Sequence, residues 1–359
     1  MKTRIASVIL AAILLISIFA FPAQAAASKA DLTAAINSAV AYSLANPALS
    51  NLISTDLLMG LDFDGRNLND SAYAALMPAP IVADASTPTA TLAAAIINGK
   101  LQGQNMSAEI AMLQSRQVPG TGFTNGAEYD SDFGFLYAMM ALDMAGASYN
   151  TSDIINVLNS SPKKDGMFAF EDYFTFELTA DPDTTGLALF VLSNHTSDTV
   201  ARAMIDAAKP ALKNLMTSDG NIPGAYGISA SSQAMVILGL TAIGEDVRSS
   251  DWSKGGNSLL DWLMTQQNTD GSFRSDPTSI DIADGFSTRQ AVMSLAYVKQ
   301  DIIRRENLNS QTSSTSSTSS TVPVPPTGDG APPYMAFAAV IMALGVVFVL
   351  TQKKSNDKA

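Results

Sequence analysis

The chain of 359 residues contains no cysteine, a single histidine (His195) and two tryptophans. Without cysteine it can form no disulfide framework and no thiolate metal site. Serine–histidine catalysis would have to use His195, and the sequence has no G-x-S-x-G elbow. Positive charge is also scarce, since 21 Lys and Arg stand against 33 Asp and Glu, for a formal net charge of −12. Nucleic acids are bound by basic faces, so nucleic acid is not expected as a partner.

The amino-terminal residues 1–25 have the pattern of a secretory signal peptide. Lys2 and Arg4 precede an apolar run over residues 6–20, and Ala23-Gln24-Ala25 matches an A-x-A cleavage site. The alternative is an uncleaved membrane anchor. The short apolar run and the cleavage site favour export, with cleavage after Ala25.

The carboxyl-terminal residues predict a tether. Residues 306–333 are rich in Ser, Thr and Pro and bury too little apolar area to offset their ordering entropy, so we expect a stalk. Residues 334–351 are apolar and about long enough to be a transmembrane helix. Residues 352–359 contain three lysines, as expected of a basic cytoplasmic tail.

The segment Val324-Pro325-Pro326-Thr327-Gly328 stands just before the apolar residues. With the apolar segment and basic tail, it resembles the sortase sorting signal of Gram-positive surface proteins, Leu-Pro-x-Thr-Gly, although Val replaces Leu. The resemblance implies that sortase cuts between Thr327 and Gly328 and joins Thr327 to peptidoglycan in the cell wall. The alternative is a simple membrane anchor with a Pro-rich stalk. In both cases the folded part lies outside the cell.

Between these ends, residues 28–305 carry a degenerate repeat. Asp-Gly pairs at 165–166, 219–220 and 270–271 recur about every 50 residues, and each is followed by a small or hydroxyl cluster that opens an apolar helix. Such a period is typical of stacked helical hairpins. The repeat therefore predicts an all-α domain and does not by itself set a function.

The helices of this domain alternate in character. Those beginning near Ser131, Asp183, Ser231 and Ser287 are apolar on most faces, whereas residues 201–216 and 257–267 have polar faces. Because a helix that is apolar all round is buried, the pattern predicts an α/α toroid of about 10–12 helices, with an inner and an outer ring. An open solenoid is the alternative. Pro210 is expected to kink or split its helix.

The segment Trp262-Leu263-x-x-x-Gln267-x-x-x-Gly271-x-Phe273 resembles the repeat motif of the terpenoid-cyclase and protein-prenyltransferase superfamily. Residues 112–123 form a looser copy. The resemblance implies an α/α toroid. The glutamine would tie a helix end to the next turn, and the glycine would permit the left-handed step that ends the helix. The glutamine and the glycine would both stabilise the fold, so the motif indicates a fold rather than an activity.

The resemblance also implies catalytic signatures that the sequence can be checked for. Class II terpene cyclases use Asp-x-Asp-Asp with the middle Asp as acid, and Asp181-Pro182-Asp183-Thr184 puts Asp183 at that position with Thr184 in place of the last Asp. Asp183 is therefore a weak catalytic candidate, and helix capping is the alternative. The Asp, Cys and His zinc site of protein prenyltransferases is excluded by the absence of cysteine. Toroid glycosidases would need two facing carboxylates.

Acidic residues lie at the start of several of the apolar helices or just before it. In a toroid they could surround one of the two openings, which we call its mouth. The ligand-binding candidates are Asp130, Asp132, Asp181, Asp183, Asp281 and Asp284, together with Tyr226, which lies between two of these helices. A row of helix caps is the alternative interpretation. Residues 183–188 are similar to a helix start of the vertebrate cobalamin carriers, which implies cobalamin as a candidate ligand, although the carriers' second domain has no counterpart here. No metal and no other cofactor is expected.

These patterns together predict an exported, surface-anchored domain that binds rather than catalyses. Its partner would be a small ligand, glycan or peptide held at the mouth of the toroid. The alternatives are an extracellular enzyme of toroid type (a degenerate terpene cyclase or a carbohydrate-active enzyme), a cobalamin-carrier-like binder and a purely adhesive domain.

Overall fold

The computed structural model describes residues 27–47, 51–124, 131–171 and 176–315. They form eleven α-helices and seven short strands. The helices are α1 Lys29–Ala45, α2 Asn51–Phe63, α3 Thr89–Leu101, α4 Ser107–Ser115, α5 Asp132–Ala145, α6 Thr151–Ser160, α7 Pro182–Leu192, α8 Thr199–Leu215, α9 Ala230–Ala242, α10 Leu259–Met264 and α11 Gly285–Thr315. A 3₁₀ segment covers Ser71–Leu76.

The strands form short antiparallel pairings in the connections between helices. They are β1 Gln117–Val118, β2 Gly122–Phe123, β3 Lys163–Lys164, β4 Met167–Glu171, β5 Leu178–Ala180, β6 Ser253–Lys254 and β7 Asn257–Ser258. β1 pairs with β2, β4 pairs with both β3 and β5, and β6 pairs with β7. In the largest sheet, Ala169 is opposite Ala180 and Glu171 is opposite Leu178.

Six helices form a closed inner ring. Helix α2 packs against α3, α3 against α5, α5 against α7, α7 against α9, α9 against α11, and α11 returns to α2. The inner helices are buried on nearly all faces, as residues 92–99 of α3 and 232–241 of α9 show. Helices α1, α4, α6, α8 and α10 and the 3₁₀ segment alternate with them along the chain. The predicted α/α toroid is therefore the architecture of the described residues, and the ring is closed rather than an open solenoid.

The three Asp-Gly turns pack against the backbone of the next outer element. Gly166, Gly220 and Gly271 all have positive φ. A Cβ on Gly166 would lie 2.8 Å from the carbonyl oxygen of Ala207 in α8, and one on Gly220 would lie 2.5 Å from that of Asn257. A Cβ on Gly271 would lie 2.3 Å from the carbonyl oxygen of Ser38 in α1. The last repeat therefore packs against the first helix and closes the outer ring.

The motif glutamines act at the same junctions. The Gln267 side-chain amide donates to the carbonyl oxygens of Ala35 in α1 (2.9 Å) and Gly271 (3.1 Å). In the looser copy, the Gln117 amide donates to the Asn150 carbonyl (2.8 Å) and its oxygen accepts from the Asn150 N–H (2.9 Å). Each glutamine thus ties the end of one hairpin to the start or body of the next outer helix, and Gln267 also bonds the turn that follows it, as the motif predicted.

Two details of the helices differ from the sequence-based expectation. Pro210 does not split α8, which is one uninterrupted helix. Pro210 is exposed, so solvent can hydrate the carbonyl that it leaves without a donor. Helix α11 continues to Thr315 although the stalk was expected from residue 306. Asp301 bonds Arg304 and Arg305 one turn later, and such i,i+3 and i,i+4 pairs extend the helix past its packed part.

Several predictions concern residues that the structure does not describe. The signal peptide with Ala25, the sorting signal with Thr327 and Gly328, and the apolar segment 334–351 all lie outside the described residues. Within the part that is described, no helix is both long and apolar enough to cross a membrane.

Replacing Gly271 with alanine is expected to lower the free energy of unfolding by at least about 2 kcal/mol, because the new Cβ is strained at positive φ and collides with α1. Gly256 is a matched control, since its φ is also 91° and nothing lies within 4 Å of a Cβ there. Gly256→Ala should lose only the strain, about 1 kcal/mol. Denaturant unfolding of both variants measures the difference, and equal losses would show that the turn does not close against α1.

Candidate functional site

The amino-terminal ends of inner helices α7 and α9 meet at a cavity of about 350 Å³, which we call the mouth cavity. Its walls come from β4, the start of α7, the loop before α9 and the first turn of α9. The lining residues are Phe170, Asp181, Asp183, Ala225, Tyr226, Gly227, Ile228, Ser229 and Ser232. Three of the predicted candidates, Asp181, Asp183 and Tyr226, therefore lie together.

Asp181, not Asp183, caps helix α7. The Asp181 Oδ1 accepts from the backbone N–H groups of Asp183 (3.1 Å) and Thr184 (3.2 Å), and its Oδ2 accepts from the Thr184 hydroxyl (2.6 Å). The capping role suggested for Asp183 is therefore wrong. Pro182 occupies the first helical position, where its missing N–H is not needed, so the cap is the residue before it. Asp183 is left free to face the mouth cavity.

Asp183 carries an unusual carboxyl group. Burial raises the pKa of Asp183 to about 6, the negative charge of Asp181 acts in the same direction, and the Ser232 hydroxyl acts in the opposite one. Its Oδ1 is buried and has no hydrogen-bond partner among the described residues. The group can thus be protonated near neutral pH, and it retains an unused hydrogen-bonding position.

A tight loop brings Tyr226 to the edge of the cavity. The Gly224 N–H donates to the Gly227 carbonyl (2.8 Å), the reverse bond is 3.1 Å, and the tip of the loop projects Tyr226, which is 94% exposed. The Tyr226 ring stacks on Phe170 of β4 with centroids 5.5 Å apart. A Cβ on Gly224 would lie 2.1 Å from the Ser232 hydroxyl, so only glycine lets the loop lie this close to α9.

Exposed apolar side chains lie at the same end of the toroid as the mouth cavity, and we call them the apolar rim. They belong to the connections that lead into α7, α9 and α11, and to the first turn of α11. The rim residues are Phe176, Leu178, Tyr226, Ile228, Ile280, Ile282 and Phe286. The Ala230 N–H donates to the Ser275 carbonyl (2.7 Å), which joins the second connection to the third. Apart from Tyr226, sequence reasoning missed the rim, although Ile280 and Ile282 flanking an aspartate in a loop are an unusual pattern.

Of the other acidic candidates, the described ones, Asp132, Asp281 and Asp284, do not line the mouth cavity. Asp132 accepts from the Ser161 hydroxyl, and burial and the charge of Asp181 raise the pKa of Asp132 while Lys163 lowers it. Asp284 accepts from the Ser287 N–H (2.6 Å) at the start of α11. Asp281 is exposed in a turn with φ 59°. Asp130 lies outside the described residues.

Sequence reasoning missed a second buried acid, Asp56 of α2. The Tyr137 hydroxyl of α5 donates to its Oδ1 (2.7 Å), so the pair spans the interior of the inner ring. Burial raises the pKa of Asp56, whereas hydrogen bonds from Tyr137 and Gln290 and the charge of Arg289 lower it. The only sequence signal is an Asp in the middle of an apolar helix. The described residues contain no group of three or more His, Asp or Glu side chains placed to hold a metal ion.

The raised pKa of Asp183 makes stability depend on pH. Between the unperturbed value of 3.8 and about 6, the folded chain holds more protons at Asp183 than the unfolded chain does, so the free energy of unfolding falls as pH rises through this window. Asp183→Asn cannot ionise. Relative to wild type it should gain on the order of 2 kcal/mol between about pH 4 and about pH 7.5.

Denaturant unfolding at the two pH values measures this gain. Asp165→Asn is the control, because Asp165 is exposed and its φ of 53° suits asparagine equally. A stability difference between Asp183→Asn and wild type that is the same at both pH values would contradict the assignment.

No protein-family model matches the chain, and no curated protein matches it. Solved structures do. The chain is similar to an arginine-to-alanine variant of the type II terpene cyclase MstE from Scytonema in complex with its substrate, geranylgeranyl dihydroxybenzoate. The TM-score is 0.54 at 15% identity, over 76% of this chain and 99% of that one.

Two further MstE structures agree. An aspartate-to-asparagine variant with the same substrate gives a TM-score of 0.54 at 14% identity, over 77% of this chain and 98% of that one. The apo enzyme gives 0.52 at 14% identity, over 74% and 98%. Identities this low show the fold and not the activity. The chain therefore has a fold like that of a type II terpene cyclase, an α/α toroid, as the repeat motif predicted.

Proposed function

We propose that the chain is an exported, surface-anchored binding module that holds a small ligand at the mouth of the toroid. The observation that carries the proposal is the apolar rim at this end of the toroid, of which Tyr226 and Ile228 line the mouth cavity. Exposed apolar side chains gathered on one face of a protein mark an interaction site, and Tyr226 at the tip of a glycine-bounded loop is 94% exposed. The ligand would cover this rim with an apolar surface.

The mouth cavity adds a polar contact to the apolar one. Its volume of about 350 Å³ is near the lower end of the range for ligand pockets, about 300–1,000 Å³, which suits a small ligand or the end of a longer one. The Asp183 Oδ1, which accepts no bond from any described residue, could accept from a hydroxyl or amide group of the ligand. Binding would thus combine apolar area with one directed hydrogen bond.

The hydrogen bonds made by the neighbours of Asp183 fit a binding role better than a catalytic one. Thr184 occupies the position of the final Asp in the cyclase motif, and its hydroxyl donates to Asp181 rather than to Asp183. The acid position is therefore present without the neighbouring carboxylate that the resemblance associates with it.

The second candidate is an extracellular acid catalyst, and the pKa of about 6 at Asp183 is the observation that favours it. A carboxylic acid protonated near neutral pH beside the Phe170 and Tyr226 rings could deliver a proton to an alkene or an acetal. Incubation with geranylgeranyl dihydroxybenzoate, the compound bound in MstE, tests it. Product formation that disappears in Asp183→Asn would favour the enzyme; binding without turnover would favour the module.

We also propose the localisation, on the basis of the sequence alone. Export would use the signal peptide, and sortase would join Thr327 to peptidoglycan. In a Gram-positive host, Thr327→Ala should abolish the wall-linked fraction and leave protein only with the membrane. Thr321→Ala, a change of the same type within the stalk, should leave wall linkage unchanged. Wall-linked Thr327→Ala protein at the wild-type level would refute the sortase assignment.

The mouth proposal predicts a ligand-dependent rise in melting temperature of the full-length chain. The probes are cyanocobalamin, prenyl lipids and oligosaccharides, the three classes that the sequence and the fold suggest. At about 100 times its Kd, a bound probe should add about 2.7 kcal/mol, which is a shift of several degrees.

Tyr226→Ala should reduce that shift, since it removes the central rim residue. Leu308→Ala, which removes a half-exposed apolar side chain on the distal part of α11, should leave it intact. No shift with any of the three classes would contradict the proposal.

A further inference from the structure

A larger cavity of about 700 Å³ lies at the opposite end of the toroid, where inner helices α2, α7 and α9 end. We call it the carboxyl-end cavity. Helix α11 and the outer helix α8 complete its walls. The side chains that matter below are Asp62, Phe63, Phe190, Asp206, Tyr297 and Asp301. It shares none of its lining with the mouth cavity, so nothing argued for the mouth applies to it.

Three aromatic rings from three inner helices meet in this cavity. Phe63 of α2 lies 4.9 Å from Tyr297 of α11 and 6.2 Å from Phe190 of α7, and Phe190 lies 5.4 Å from Tyr297, all between ring centroids. Burial and the charge of Asp301 raise the pKa of Tyr297 to about 12, so its phenol stays neutral. All three residues line the cavity, so a ligand there would lie against aromatic side chains, which attract cations.

Uncompensated carboxylates stand beside these rings. Asp62, in the last turn of α2, and Asp206 of α8 accept no side-chain hydrogen bond and form no ion pair with any described residue. Asp301 is different, because Arg304 and Arg305 hold it. Asp62 and Asp206 are both solvent-exposed.

The two arginines that line the cavity, Arg202 and Arg304, both bond other groups of the protein. Arg304 pairs with Asp301, and Arg202 donates its Nε and Nη2 to the carbonyl oxygen of Thr196 (3.1 and 2.5 Å). Neither is bonded to Asp62 or Asp206. The lining therefore has three carboxylates, Asp62, Asp206 and Asp301, against two guanidinium groups.

The backbone adds to this excess of negative potential. The carboxyl ends of α2, α7 and α9 lie at this cavity, and the helix dipole gives each of them a partial negative charge. Asn194, just past the end of α7, lines the cavity, and its Oδ1 is buried without a donor among the described residues. Helix ends, acidic side chains and an unpartnered amide oxygen all favour a cation.

We propose that the carboxyl-end cavity binds an organic cation: an ammonium group with a hydrocarbon body. The aromatic cluster of Phe63, Phe190 and Tyr297 receives the alkyl groups and the cationic face, and Asp62 and Asp206 neutralise the charge. The site is independent of the mouth and of its ligand.

Calorimetry on the full-length chain with choline tests the proposal, and the uncharged isostere 3,3-dimethylbutan-1-ol is the matched probe. Choline should bind about tenfold more tightly than the isostere, because only choline gains from the rings and the carboxylates. Equal affinity for the two would overturn the proposal. Binding of benzoate in place of choline would also overturn it, since Arg202 and Arg304 would then set the charge preference.

Substitutions in the carboxyl-end cavity test whether choline binds there. Asp62→Asn should weaken choline binding about fivefold or more while leaving the melting temperature of the free protein near that of wild type, since Asp62 is exposed. Phe63→Leu should weaken choline binding by a similar factor and also lower the melting temperature, since Phe63 packs against Phe190 and Tyr297. Asp165→Asn removes the same charge at an exposed turn and should leave choline affinity unchanged. If Asp62→Asn has no effect, or if Asp165→Asn weakens binding equally, the cation does not occupy this cavity.

Discussion

The close approach of the Asp270-Gly271 turn to helix α1 is the contact on which the rest of the structure depends. A Cβ at Gly271 would lie 2.3 Å from the Ser38 carbonyl, and Gln267 bonds the Ala35 carbonyl of the same helix. These contacts join the end of the chain's repeats to their beginning. Inside them, α11 packs on α2 and completes the inner ring. Without that closure the inner helices would have a free edge, and neither end of the toroid would have a defined wall.

Closure gives the two ends of the inner ring different chemistry. At the amino-terminal ends, the connections into α7, α9 and α11 and the first turn of α11 carry the apolar rim, which includes the loop of Tyr226. At the carboxyl-terminal ends, the helices themselves form the wall, so aromatic and acidic side chains line the cavity. One end suits an apolar ligand with a hydrogen-bond donor, and the other suits a cation.

The fold was easier to predict from the sequence than the sites, because each feature of the repeat lies within a few consecutive residues. Asp-Gly turns, motif glutamines and apolar helices each show within a short window, and their structural roles were as expected. The capping role of Asp181 was missed because Pro182 shifts the cap by two residues from Asp183. The carboxyl-end cavity could not be predicted, since Phe63, Phe190 and Tyr297 are brought together only by ring closure.

Amide hydrogen exchange tests ring closure most directly. In a closed ring, α2 and α11 each have two inner neighbours, so their amides should be as strongly protected as those of α7 and α9. The comparison uses residues 54–63 and 287–300 against 185–192 and 232–241. In an open arrangement, α2 and α11 would be terminal helices, and their faster exchange relative to α7 and α9 would contradict the closed toroid.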